Sequence, residues 1–213
     1  MRGSTGDILG GMARLEHVFP LNEGGVRGYE TTPDRSLVAL ARAKGVAPLE
    51  LMLDVIVAHE GRNFFLVPLF NPDLEAAGAM LAHPLTTIGL GDAGAHTTQT
   101  SDASYSTFAL AYWVRERRLM PLERMVHKLT AQLATLWGIA DRGVLRPGAF
   151  ADVNVIDFDR LDLHLPEVRH DMPTGAAALV QDATGYVATV VNGTVLMRDG
   201  QHTGAYPGVV LRG

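Results

Sequence analysis

The chain has no cysteine. That excludes disulfides, thiolate nucleophiles and cysteine-ligated zinc. It also lacks any apolar run near the roughly 18 to 20 residues that a membrane-spanning helix needs. The start, Met1-Arg2-Gly3-Ser4-Thr5-Gly6, carries one arginine and no apolar stretch behind it, so it does not read as a signal peptide. An excess of positive charge is missing as well, with 18 lysines and arginines against 23 aspartates and glutamates. With a net charge of -5, a nucleic-acid groove is not expected. No Gly-x-Ser-x-Gly elbow offers a serine nucleophile, and no Walker loop is present. The eight histidines form no His-x-His pair and no His-Glu-x-x-His helix. His17, His59, His83, His127, His164, His170 and His202 are scattered and read as structural or solvated. No internal repeat or low-complexity segment stands out.

What is present suits a globular protein with small-molecule partners, expected in the cytoplasm: 213 residues, 47% hydrophobic and 19% charged. Such a length can bury a core in one large domain or two unequal ones. Residues 1–33 are irregular. A helix is expected from Pro33 or Asp34 to Lys44, capped by Thr32 or Asp34 and stopped by Gly45. A second should open at Pro48, and its run Leu49 to Val57 is apolar nearly all round, which predicts burial on two sides. Asn63 to Pro68 reads as a buried strand, Leu74 to Ala82 as a helix, and Thr86 to Gly91 as the next strand. A third strand is expected near Val18. Strand, helix, strand with continuous apolar strands is the signature of a parallel α/β sheet.

Past this point Asp102 or Ser104 can cap a helix through Arg117, with Tyr105, Phe108, Ala109, Tyr112 and Trp113 as one apolar stripe. Arg115-Glu116-Arg117-Arg118 reads as its solvated end. Pro121 opens one further helix, closed by Gly138. Texture changes near residue 139, where short β-branched runs alternate with turn signals. Asn192-Gly193 between two such runs predicts a two-residue hairpin.

The stretch with most chemical promise is Thr87-Ile88-Gly89-Leu90-Gly91-Asp92-Ala93-Gly94-Ala95-His96-Thr97. A short apolar strand running into an aspartate places a carboxylate at the mouth of a barrel, where it can hold a metal and take a proton from bound water. Asp92 reads equally as a cap of the turn that follows. His96 is an orienter, a substrate contact or a loop histidine.

Several ordered blocks resemble the N-acyl-D-amino-acid deacylases (D-aminoacylases) of the metal-dependent amidohydrolase superfamily. Gly89-Leu90-Gly91-Asp92-Ala93-Gly94-Ala95-His96 is similar to their strand-eight segment, with Ala93 where the family usually has glycine. Asp102-Ala103-Ser104-Tyr105 to Arg115 resembles the next helix, and Leu122-Glu123 through Lys128-Leu129-Thr130 the one after. Asp141-Arg142-Gly143-Val144-Leu145-Arg146-Pro147-Gly148-Ala149-Phe150-Ala151-Asp152-Val153 resembles the superfamily's junction, and Asp199 to Gly208 the family's terminus.

The resemblance implies an α/β fold: the C-terminal part of a (β/α)8 TIM-type barrel over residues 1–140, then a small β-sandwich portion over 141–213. It implies zinc-dependent hydrolysis of the amide of N-acyl-D-amino acids, with Asp92 as metal ligand and proton carrier. His96, Asp102 and Tyr105 are the expected substrate contacts. A complete barrel takes roughly 250 residues, and the family's other zinc ligands are expected to precede this segment. An incomplete half, inactive alone, is therefore expected, with self-association or a complementing chain to cover open edges. The alternatives are a non-catalytic docking module and a cyclic-amide hydrolase of the same superfamily.

Overall fold

The computed structural model describes residues 14–22, 24–91, 93, 98 and 102–211. The chain divides into two compact units, Met1–Met80 and Leu81–Gly213. This partition follows the packing within the chain and lies far upstream of the change in texture near residue 139.

In the first unit, Ser36 is the pivot. A 3-10 turn over Pro33–Arg35 delivers it, and its hydroxyl accepts from Ala39 N to cap α1, Leu37–Lys44. The expected caps, Thr32 and Asp34, are displaced because that tight turn inserts ahead of the helix. Gly45, at φ 73°, ends α1 in the left-handed region that glycine enters without a Cβ penalty. Leu37 and Ala41 are fully buried, and they pack with Val18 and Leu51 in one core that Leu40, Val46 and Phe65 border.

Helix α2, Pro48–Ala58, starts at the expected proline. Its burial departs from expectation: Leu51 is buried, but Leu49 and Leu53 are 62% exposed and Val57 75%. One side meets the core, and the other carries apolar side chains that nothing among the described residues of this unit covers. The predicted strand at 63–68 shrinks to β2, Phe64–Leu66, and it pairs antiparallel with β1, Phe19–Leu21. A strand forms only where a neighbour takes its hydrogen bonds, and here the neighbour is an antiparallel segment from the start of the chain. Asp73 accepts from Glu75 N and Ala76 N and so starts α3, Leu74–Ala82, where it was expected.

The expected strand over Thr86–Gly91 is not formed: residues 86–91 take no regular secondary structure, and no described strand pairs with them. Every described sheet is antiparallel, so the parallel α/β sheet read from the sequence is not made within the described residues. The cause is again pairing: a parallel neighbour arrives only through a crossover connection, and no described segment supplies one.

The second unit is built on a helix that begins as a 3-10 turn at Asp102–Ser104, runs as α4 over Tyr105–Phe108 and continues as a π-helix over Ala109–Glu116. All six residues from Ala109 to Val114 are buried. Phe108 stacks on Tyr112 at 4.6 Å, and Trp113 meets Tyr112 edge-on at 5.0 Å, so this part of the stripe faces the core as its spacing suggested, while Tyr105 at its start is exposed. The solvated end expected at Arg115 is corrected. Its Nη1 donates to the carbonyls of Phe158 and Leu161, pinning the loop that turns the chain back along the helix.

The helix predicted from Pro121 to Gly138 is broken into α5, Leu122–Leu129, and α6, Ala131–Leu136, by the non-helical backbone of Thr130 (φ -129°, ψ -89°). From Val153 onward all described regular structure is β. The strands are β3 (Val153–Ile156), β4 (Asp162–Leu163), β5 (Glu167–Arg169), β6 (Ala178–Val180), β7 (Ala183–Thr184), β8 (Tyr186–Val191), β9 (Thr194–Arg198) and β10 (Gln201–His202). The main sheet has the order β10-β9-β8-β3, and β4-β7 and β5-β6 form two small ribbons. The Asn192-Gly193 hairpin is present, with Val191 opposite Thr194 and positive φ at both turn residues, 48° and 79°. His202, read as structural or solvated, lies exposed in β10.

Candidate functional site

Two of the four expected site residues, Asp92 and His96, lie outside the described residues. Asp102 opens the 3-10 turn that leads into α4, and Tyr105 is the first residue of α4, 40% exposed. The structure thus sets Asp102 and Tyr105 one turn apart on a single element. Among the described residues, no three histidine, cysteine, aspartate or glutamate side chains come together in a group able to hold a metal. These residues therefore do not fit a complete zinc site.

The same stretch also spells Gly-x-Gly-x-x-Gly through Gly89, Gly91 and Gly94. That spacing cradles a dinucleotide only where it follows a strand and opens a helix. Residues 86–91 form no strand, and the next described helical turn starts at Asp102, so the spelling carries no nucleotide site.

The approach to Asp92 is where the structure adds most. His83 and Pro84 follow α3, and a turn forms in which Thr86 N and Oγ1 both donate to His83 O. Three side chains spaced four residues apart reach this turn. Arg124 Nη2 donates to Ala82 O at 2.8 Å. Lys128 Nζ donates to Thr86 O at 2.6 Å and to His83 O at 3.2 Å. Gln132 Nε2 reaches Thr86 O at 3.4 Å. Lys128 is 3% exposed, and burial lowers its ammonium pKa, with the Arg124 charge adding to the effect. The sequence reading passed over this lysine as part of a motif. The signal that marks it is its spacing: it follows the fully buried Met125 by three residues, on the inward face of an amphipathic helix.

A second polar cluster joins the α6 region to the sheet. Arg142 pairs with Asp152, donates to Asn192 Oδ1 at 2.6 Å, and lies 4.3 Å over the Phe150 ring. Burial opposes ionisation of Asp152, but the Asn192 N–H and the Arg142 guanidinium outweigh it and hold the carboxyl below its usual range. Gly143, at φ +78°, sits so close to Thr130 and Ala134 that a Cβ would fall 2.9 Å from the Ala134 side chain. This cluster is the junction block of the sequence seen in three dimensions. It ties the α6 region to β3 and to the turn after β8.

The pattern of the amidohydrolase family matches residues 3–197. The chain belongs to that family. Within it, the relatives include the deacylases that the motif blocks suggested. The chain is 34% identical over 158 residues to the N-acyl-D-aspartate deacylase of Alcaligenes xylosoxydans xylosoxydans, covering 73% of this chain and 28% of that protein. It is 33% identical over 192 residues to an uncharacterized protein of Mycobacterium tuberculosis, covering 82% of this chain and 31% of that one. In fold it is similar to D-aminoacylase, a protein described as having a binuclear metal centre: TM-score 0.51, 22% identity, over 88% of this chain and 36% of that one. The chain thus spans about a third of the length of the curated relatives it matches.

Proposed function

We propose that this chain carries the Asp92-bearing portion of a zinc-dependent amidohydrolase of the N-acyl-D-amino-acid deacylase type, working in the cytoplasm on small N-acyl-D-amino acids. The observation that supports it is the family match over residues 3–197, with a deacylase among the relatives at 34% identity. In this reading Asp92 is the metal-binding and proton-accepting carboxylate, and His96, Asp102 and Tyr105 face the substrate. Residues 1–140 correspond to the last units of a TIM-type barrel and 141–213 to part of a β-sandwich. The remaining zinc ligands come from outside the described residues. A catalytic zinc takes about three protein ligands and a water, so Asp92 alone is too few.

The test is hydrolysis of N-acetyl-D-aspartate, N-acetyl-D-glutamate and a neutral N-acetyl-D-amino acid with added zinc. The 213-residue chain alone is expected to show no turnover. A chimaera in which it replaces the matching part of the Alcaligenes deacylase is expected to turn over, and to lose that activity on Asp92→Asn. Turnover that survives Asp92→Asn would overturn the reading. Turnover by the chain alone, abolished by the same substitution, would overturn its incompleteness.

A second reading, a docking module without catalysis, draws on one observation: the exposed Leu49, Leu53 and Val57 on α2. A folded, zinc-loaded chimaera without turnover would favour it.

A further inference from the structure

Lys128 puts a charge where the amphipathic pattern of α5 wants an apolar side chain. A buried ammonium ordinarily needs a carboxylate beside it. Its described hydrogen-bond partners are instead two main-chain carbonyls, His83 O and Thr86 O. On burial alone, methionine or leucine would suit the position better, since the surroundings already disfavour the charged form. What neither can supply is the set of N–H donors.

Those donors land at a particular place. With Arg124 before it and Gln132 after it, Lys128 holds carbonyls at Ala82, His83 and Thr86, at the end of α3 and in the turn that follows. Helix ends leave their last carbonyls without intrahelical partners, so such groups are available to be held from outside. Beyond the turn the described main-chain support thins. From Thr87 to Gly91 no main-chain hydrogen bond to another described main-chain group is made, and Leu90 is 91% exposed. The held carbonyls are the last described anchor before Asp92.

We propose that Lys128, assisted by Arg124 and Gln132, is a positioning clamp: it fixes the carbonyls of residues 82–86 and so sets the point from which the Thr87–Asp92 segment leaves. Its functional consequence rests on the reading of Asp92 given above. Lys128 is a positioning residue in this scheme, acting through the backbone six residues upstream of the carboxylate.

The lack of cysteine makes the clamp testable by spin labelling of the 213-residue chain itself. A Cβ at Gly89 or at Gly208 meets nothing within 4 Å. Gly89→Cys therefore carries a reporter nitroxide, and Gly208→Cys, in the stretch where Pro207 O accepts from Asn192 Nδ2, carries the control. Lys128→Met keeps the stem and removes the donors. It is expected to raise label mobility at position 89 by about two-fold or more on the nanosecond scale of loop motion, with position 208 unchanged. Lys128→Arg, which restores donors, should recover most of the order, and Gln132→Leu should give a smaller loosening in the same direction.

Unchanged mobility at position 89 in folded Lys128→Met would overturn the clamp. Equal loosening at 89 and 208 would overturn it too, by making the lysine a general stabiliser. Should Lys128→Met not fold, Gln132→Leu decides: no selective loosening at 89 overturns the proposal. The label reports on the clamp and the hydrolysis assay on Asp92, so either can fail while the other stands.

Discussion

Two stretches of this chain read as strands with equal clarity, and only one of them became one. Tyr186–Val191 is β-branched and apolar and lies in the centre of a four-stranded sheet. Thr86–Gly91 sets Ile88 and Leu90 among threonines and glycines and takes no regular secondary structure. The first meets its partner two residues later, across Asn192-Gly193, and a second partner in β3. The second has no strand partner among the described residues. Local closure of a hairpin needs only the turn residues, whereas a parallel neighbour must be brought from far along a chain. Strand character in a sequence is thus a request for a neighbour, and the turn decides whether the chain itself can answer it.

The comparison predicts that stability resides in the sheet region and its junction. The largest effect is expected at Gly185, which has φ +93° and where a Cβ would lie 2.6 Å from the Leu161 backbone. Gly185→Ala should cost about 3 kcal/mol in a denaturant titration. Next comes Arg142→Ala, which removes the charged partner of Asp152 and the donor to Asn192. A loss of about 2 kcal/mol is expected, measured the same way.

The same junction should be acid-sensitive. The folded Asp152 carboxyl lies below its ordinary value of 3.8, so its contribution is complete above that value and is lost as pH falls through the lower folded one. Arg142→Ala should flatten that part of an acid-unfolding curve. Unaltered acid sensitivity in the variant would remove Asp152 as its source.

A smaller loss, about 1 kcal/mol, is expected for Gly193→Ala. Its φ of +79° disfavours a side chain, although the space beside it is open. The smallest effect is expected away from the sheet, in the first unit. Leu53→Ser on α2, at a side chain 62% exposed, should change the stability of this chain by less than about 0.5 kcal/mol. A large loss there would show that α2 is covered in solution, by a second copy or another segment, and would blur the contrast drawn above.

Much of the local structure was legible because its causes are local. Pro48 opening α2, Asp73 capping α3, Gly45 ending α1 and Asn192-Gly193 turning the hairpin each act within a few residues. The core stripe from Phe108 to Trp113 was legible from helical spacing. The cap at Ser36 was missed because a 3-10 turn intervened, and the break at Thr130 because the apolar spacing runs on across it.

Of the candidate site, Asp102 and Tyr105 fell on one helical element as expected, and Asp92 and His96 lie outside the described residues. The clamp at Lys128 and the anchoring of Arg115 on Phe158 O and Leu161 O were not legible as such. Each joins residues more than forty positions apart, and no pattern within a window of sequence encodes which carbonyl a long cationic side chain will find.

The stretch around Asp92 shows the division most sharply. The sequence by itself determined the order of its residues, the apolar lead-in and the family resemblance, which residues 3–197 bear out, because these depend on composition and neighbours along the chain. Only the tertiary structure decided that Thr86–Gly91 joins no sheet among the described residues and that Lys128 holds Thr86 O and the turn before it. Hydrogen bonds between distant segments exist only once packing has brought their donors and acceptors together.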